Sequence, residues 1–197
     1  SSILPSARRL FYFFEMEEEM GNYELKEKCI PNVIEFKNVS FSYRSDKIIL
    51  NNFNLKIQPG EKIAIIGDNG SGKSTFLNLL LRFYEPSGGS ITLGNKNIRE
   101  INLKNYRDMF AVVSQEPYLF ADIIRNNINL DGKANNQQYT EACINSRANL
   151  FIKKMPEKDC SLIGKNGSYL SGGEKQKIAV ARAMIKDAAF IVFDEAT

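Results

Sequence analysis

Lys62-Ile63-Ala64-Ile65-Ile66, followed at once by Gly67-Asp68-Asn69-Gly70-Ser71-Gly72-Lys73-Ser74, decides the fold class of this chain. The first run is nearly continuous in apolar, β-branched residues, the composition of a strand buried on both faces of an α/β sheet. The second fits G-x4-G-K-[ST], and Lys73 to Tyr84 behind it reads as a helix, ended by Pro86 and the Gly88-Gly89 pair. Strand, glycine loop and helix in that order predict a phosphate cradle. The glycines let the backbone curl so that successive N–H groups point at phosphate oxygens. The helix N-terminus adds partial positive charge. On this reading Gly67, Asp68, Asn69, Gly70, Ser71, Gly72, Lys73, Ser74 and Thr75 hold a nucleotide. Lys73 reaches the β- and γ-phosphates, which also places it among the catalytic residues, and the Ser74 hydroxyl is a ligand for Mg2+.

Outward from the cradle, Val33 to Phe36, Val39 to Tyr43 and Phe53 to Ile57 read as strands separated by polar turns. Pro59-Gly60 turns the chain into the run at Lys62. Ile91 to Leu93 and Phe110 to Val113 are further strands. Between Ala121 and Lys186 the pattern is mainly helical, with Asn and Gly punctuation near Asn135 and Asn166, as in a helical subdomain inserted into a sheet domain. Phe190 to Phe193 is a second apolar strand. At the other end, Ala7, Leu10, Phe11 and Phe14 recur at helical spacing within Leu4 to Met20. Glu15, Glu17, Glu18 and Glu19 crowd the unfavourable end of that helix dipole, and Gly21, Asn22 and Pro31 mark a linker. Two readings of this helix stand: an element packed at the domain edge, or the tail of a helix arriving from an absent domain.

Composition narrows the chemistry. The chain has 197 residues, 43% hydrophobic and 25% charged, enough for one sizeable core of an ordinary soluble kind. Its net charge of +3 is spread along the sequence without a strong basic block, so no nucleic-acid partner is expected. Cys29, Cys143 and Cys160 are far apart and odd in number, which reads as free thiols rather than a disulfide framework. There is no His, so a carboxylate must serve as any general base. The apolar run Leu10 to Phe14 is far too short to cross a bilayer. The opening Ser and the closing strand and turn suggest a fragment of a longer chain.

Asp194 and Glu195 end the strand Phe190 to Phe193. In a parallel sheet, ligands bind outside the carboxyl ends of the strands, where Gly67 also lies at the end of its own expected strand. Asp194 is then a Mg2+ ligand, directly or through water, and Glu195 polarises the attacking water. The plainer reading is an acidic pair that caps a strand at the surface. Leu170-Ser171-Gly172-Gly173-Glu174 opens a helical stretch through Ile185. Ser171 and Glu174 have the spacing of a capping box. Two glycines in a first turn are poor helix formers, and bare N–H groups at a helix N-terminus form an anion site. Both readings, helix start and anion site, stand together.

Taken together, these motifs resemble the nucleotide-binding domain of ABC transporters, over Val33 to Thr197. Leu170 to Glu174 resembles the family's signature motif, and Ser114-Gln115-Glu116-Pro117 the segment around its Q-loop glutamine. Tyr43, read alone as strand filler in Phe41-Ser42-Tyr43, matches the aromatic residue that stacks on adenine. Leu119-Phe120-Ala121 with Ile124 to Ile128, and Phe151 to Pro156, look most like the multidrug or P-glycoprotein branch. The resemblance implies an α/β P-loop NTPase fold of the ABC ATPase type, with an antiparallel β subdomain, an inserted helical subdomain and a truncated C-terminus. It implies a linker over 1–31 and an ATP-binding domain over 32–197, with its core at 32–120 and 187–197 and the helical part at about 121–186.

The resemblance further implies ATP and Mg2+ as cofactors. Gln115 contacts Mg2+ or the water, and Glu195, Gln115 and Lys73 carry hydrolysis. Ser171, Gly172, Gly173 and Glu174 close over the γ-phosphate held by a second such domain. Transmembrane domains of the same parent chain are the other partner, with this domain on the cytoplasmic face of a membrane protein that exports a substrate. The family's D-loop and switch histidine lie beyond Thr197. Lys165 stands where exporters commonly have an acidic residue after Gly164, in a loop that touches the membrane helices. Two rivals remain, a soluble ABC ATPase of DNA repair or translation and an ATP-binding regulatory domain without turnover. Apolar 20-residue spans upstream in the parent gene separate them from a transporter.

Overall fold

The computed structural model describes residues 21, 23–24, 33–44 and 47–194, in two compact units, one formed by Ser1–Ile63 with Glu85–Tyr106 and the other by Ala64–Tyr84 with Arg107–Thr197. The helix expected over Leu4 to Met20, Cys29 and Glu195 lie outside the described residues. No described helix is long and apolar enough to cross a membrane.

The first unit holds an antiparallel sheet of order β2-β1-β3-β4, with β1 Ile34–Phe41, β2 Leu50–Ile57, β3 Gly88–Leu93 and β4 Lys96–Asn97. Two expected strands thus merge into β1, because a bulge replaces the turn. Ile34 and Phe36 are buried at period two, then the alternation slips, and Val39 and Phe41 return to the buried set. The register shifts between Phe36 and Val39, where Asn38 takes φ 49. Asn38 N–H donates to Asn54 Oδ1 at 2.9 Å and Asn54 Nδ2 donates back to Asn38 Oδ1 at 3.1 Å, pinning the bulge. Gly89 faces it at φ 76, and a Cβ there would lie 2.3 Å from Asn38 O. The Gly88-Gly89 pair therefore begins β3 opposite the bulge rather than ending a helix.

The second unit opens with the run into the cradle. Residues 61–68 join no ladder and are exposed, Ile66 by 92%. The strand expected over Lys62 to Ile66 is not formed among the described residues. Apolar β-branched composition reports a taste for burial, whereas a strand also needs a hydrogen-bonding neighbour, which only tertiary structure supplies. Helix α1, Lys73–Leu80, is shorter than expected. Its end is a Schellman turn: Phe83 N–H donates to Asn78 O at 2.8 Å and Arg82 N–H to Leu79 O at 3.1 Å, with Arg82 at φ 55. An Arg in place of the usual Gly hides this stop from the sequence.

After α2, Leu103–Asp108, strands β5 Phe110–Val113 and β6 Phe190–Phe193 pair in parallel, as their apolar composition predicts. The rings of Phe110 and Phe190 stack at 5.1 Å. Between them in sequence lie α3 Ile124–Ile128, α4 Asn136–Asn145, α5 Asn149–Ile152 and α6 Gly172–Ile185. Helix α6 is buried on two sides. Ala179 and Ala183 pack on Ala111 and Val113 of β5, while Ile178 and Ala181 enter a cluster with Leu119, Ile124 and Phe151. One helix thereby fixes the helical segments against β5.

Candidate nucleotide site

The cradle forms in its loop and helix. Gly70 and Gly72 take φ 83 and 98, the left-handed region open to glycine. Ser71 N–H donates to Asp68 O at 3.1 Å, and a Cβ on Gly67 would meet Ser71 Oγ at 2.6 Å. Gly72 is the N-cap of α1 and has no side chain with which to cap it. Phe76 is the residue that donates back to Gly72 O, at 2.8 Å. A glycine N-cap leaves the helix N-terminus to whatever anion the loop encloses. Lys73 Nζ donates to Gly67 O at 2.7 Å and to Asp68 O at 2.9 Å, so the ammonium lies across the loop's own carbonyls. The loop thus fits a polyphosphate: glycines where side chains would obstruct it, and a cation tethered at its edge.

Gln115 and Asp194 lie just beyond one end of the β5–β6 pair. Val113 and Phe193 are register partners at the carboxyl ends of β5 and β6, and Asp194 N–H donates to Val113 O at 2.9 Å. Asp194 follows Phe193 directly and Gln115 comes two residues after Val113, so both lie beyond the same end of the parallel pair. Ser74, Gln115 and Asp194 each carry a hard oxygen, the donor type that suits Mg2+. The run into Gly67 has no ladder to β5 or β6. The expectation that Gly67 and Asp194 end strands of one sheet is therefore not met. Glu195 lies beyond the described residues.

The Ser171 motif begins α6, and the capping box is present. Ser171 N–H donates to Glu174 Oε2 at 2.8 Å and Glu174 N–H to Ser171 Oγ at 3.4 Å. Gly172 and Gly173 are exposed, and a Cβ on either would meet nothing within 4 Å. Nothing among the described residues demands glycine at these two positions. Tyr43, in the first unit, is 48% exposed and sets its ring edge-on to Phe41 at 4.8 Å between centroids. Lys165 is exposed in a short 3-10 turn, and Gly164 before it has φ 72.

Three positioning residues escape the sequence reading. Gln176 Nε2, on α6, donates to Ser114 O at 3.1 Å and to Gln115 O. Arg182 Nη1 donates to Tyr118 O at 3.0 Å and its Nε to Asn127 O at 2.8 Å. Burial pulls the Arg182 guanidinium below its ordinary value. Asn127, fully buried, accepts from Phe120 N–H at 2.8 Å and donates to Phe120 O and Ile123 O at 3.0 and 3.1 Å. A buried Asn must be satisfied in this way. No local signal marks these residues, since their partners lie far away in sequence or on backbone carbonyls.

Comparison with known proteins identifies the assembly. The family model described as ABC transporter matches residues 50–197. The chain is 45% identical over 174 residues to ABC transporter B family member 2 of Dictyostelium discoideum, covering 87% of this chain and 12% of that protein. It is 39% identical over 198 residues to human ATP-binding cassette sub-family B member 5, covering 98% of this chain and 16% of that protein. The ATP-dependent lipid A-core flippase of Haemophilus influenzae is 38% identical over 197 residues, 98% of this chain and 34% of the flippase. The structure of a bacterial Atm1-family ABC exporter with ATP bound aligns with a TM-score of 0.88 and 31% identity, over 98% of this chain and 34% of that one. The chain thus spans about a third or less of the length of these relatives. The match carries the α/β P-loop fold with its antiparallel sheet and helical insertions, and the chain belongs to the ABC transporter family, as an ATPase domain related to the B-type, P-glycoprotein and Atm1-like exporters.

Proposed function

We propose that the chain is the motor of a membrane exporter, hydrolysing ATP to ADP and phosphate on the cytoplasmic face while membrane domains of the same parent chain carry the substrate. The observation that carries this reading is the open N-terminus of α1. It has a left-handed glycine as N-cap, no side-chain cap, and Lys73 tethered at the loop. Backbone N–H groups of Gly67 to Thr75 and the Lys73 ammonium bind the phosphates. Tyr43, exposed in its own unit, has the kind of ring that stacks on an adenine. Ser74, Asp194 and Gln115 would hold Mg2+, which when bound neutralises charge on the β- and γ-oxygens. Asp194 and Gln115 both lie just beyond the carboxyl end of the β5–β6 pair, which supports a shared role for the carboxylate and the amide. Glu195, one residue on, accepts the proton of the attacking water and leaves it the better nucleophile.

The exposed Gly172 and Gly173 support a second role, in trans. Their bare N–H groups at the start of α6 suit a phosphate presented by another nucleotide-binding domain, with two ATP molecules held between the pair. Glu195→Gln removes the proton acceptor and keeps the shape. The parent protein carrying it is expected to bind ATP normally, to turn over at least about a hundredfold more slowly, and to trap an ATP-bound dimer of these domains. Near-normal turnover by this variant overturns the role of Glu195. Loss of ATP binding together with turnover points instead to a structural role.

A further inference from the structure

Gln115 sits on an exposed segment after β5, where a short loop alone would not hold an amide in place. Yet both ends of the segment are fastened to one rigid element. At the near end, Gln176 Nε2 reaches from α6 to the carbonyls of Ser114 and Gln115. At the far end, Arg182 of the same helix holds Tyr118 O at 3.0 Å, and Pro117 between them is buried. The Gln176 amide has one usable orientation. Its two partners can only accept, so a reversed amide would set an oxygen against two carbonyl oxygens. In the orientation it takes, Gln176 Oε1 is buried without a hydrogen-bond partner among the described residues. Leaving a buried acceptor unpaired is unfavourable, and the residue keeps that arrangement while making the two backbone contacts.

We propose that Gln176 is a positioning residue for the reaction: by holding the Ser114 and Gln115 carbonyls it fixes the backbone that aims the Gln115 side chain. The inference rests on the reading of Gln115 as a ligand of Mg2+ or of the water. Groups that orient a metal ligand from behind commonly carry about a tenfold or larger effect on metal affinity or activity.

The test uses the full parent protein with Gln176→Glu, Gln176→Lys, Gln115→Ala and the Gln176→Glu/Gln115→Ala pair. Glu keeps the length of Gln and lacks a donor; Lys keeps a donor at similar reach. Steady-state ATPase is measured against ATP and against Mg2+, and binding of a fluorescent ATP analogue is measured in EDTA. Gln176→Glu is expected to lower kcat and raise the half-activating Mg2+ concentration, each by about tenfold, with analogue affinity unchanged. Gln176→Lys recovers most of both losses. In the Gln115→Ala background, Gln176→Glu adds nothing further.

Wild-type kinetics for Gln176→Glu, or losses that Lys does not recover, overturn the proposal. So does a matching fall in analogue affinity, which marks a purely structural defect, or full additivity with Gln115→Ala. If Gln115→Ala is itself unimpaired, the reading of Gln115 fails and takes the proposal with it. If Gln115→Ala is impaired and Gln176→Glu is not, the proposal alone fails.

Discussion

Replacing Asn127 by Ala isolates the joint that carries the segment between β5 and α3. Asn127 is fully buried and its side chain makes three bonds, to Phe120 N–H, Phe120 O and Ile123 O, all between 2.8 and 3.1 Å. Neutral hydrogen bonds of this kind are each worth about 1 kcal/mol net, which puts the loss at about 3 kcal/mol. For a chain of this size that corresponds to a fall in Tm of about 6–12 °C. The assay is thermal and urea unfolding of the variant beside its neighbour, Asn126→Ala. The exposed Asn126 bonds the Asp122 carboxylate through Nδ2 at 3.0 and 3.1 Å, a surface contact whose loss should cost about 0.5 kcal/mol or less. Arg182 Nη2 also reaches Asn127 Oδ1, at 3.4 Å, so Arg182→Met combined with Asn127→Ala should cost less than the two apart. Equal losses for the Asn126 and Asn127 variants, or strict additivity with Arg182→Met, would refute the joint.

Other substitutions probe separate parts. Gly89→Ala should destabilise by about 2 kcal/mol or more, because φ 76 and a carbonyl 2.3 Å from the new Cβ force the bulge open; urea unfolding reads this. In a Cys29→Ser background, a maleimide at pH 7 should label Cys160, which is exposed, and leave Cys143, which is buried. Burial pushes the Cys143 thiol up, so its thiolate is scarcer than that of an ordinary cysteine at any given pH. Mass spectrometry should therefore show Cys143 still lagging as the pH is raised, until urea is added. Equal labelling of the two in the folded chain contradicts the packing of α4.

Much of the second unit is legible in its sequence because it rests on local rules. Phe110 to Val113 and Phe190 to Phe193 are short apolar runs, each closed by a polar residue, Ser114 and Asp194, and both are strands as read. Ser171 and Glu174 announce the start of α6 three residues apart, a spacing that a single helical turn imposes. The loop before α1 is legible because Gly70 and Gly72 take the left-handed backbone that glycine favours. What the sequence hides is whatever depends on a distant partner. Gln176 reaches Ser114 across 62 positions and Arg182 reaches Asn127 across 55, and in isolation each reads as a polar residue on a helix surface. The Schellman turn at Arg82 is hidden because its left-handed residue is not glycine, and the bulge at Asn38 because alternation slips by one residue inside an otherwise regular strand. The run at Lys62 to Ile66 shows the converse: a strong strand composition without a ladder.

The claim that the loop from Gly67 to Thr75 binds the phosphates of ATP for hydrolysis is tested most directly by Lys73→Ala in the full parent protein. ATP affinity and steady-state turnover are measured side by side with the unsubstituted protein. The substitution removes the ammonium that bonds Gly67 O and Asp68 O, the cation proposed to hold the β- and γ-phosphates. Affinity should weaken and turnover should fall by about a hundredfold or more. Unchanged affinity with unchanged turnover would contradict the account at its centre.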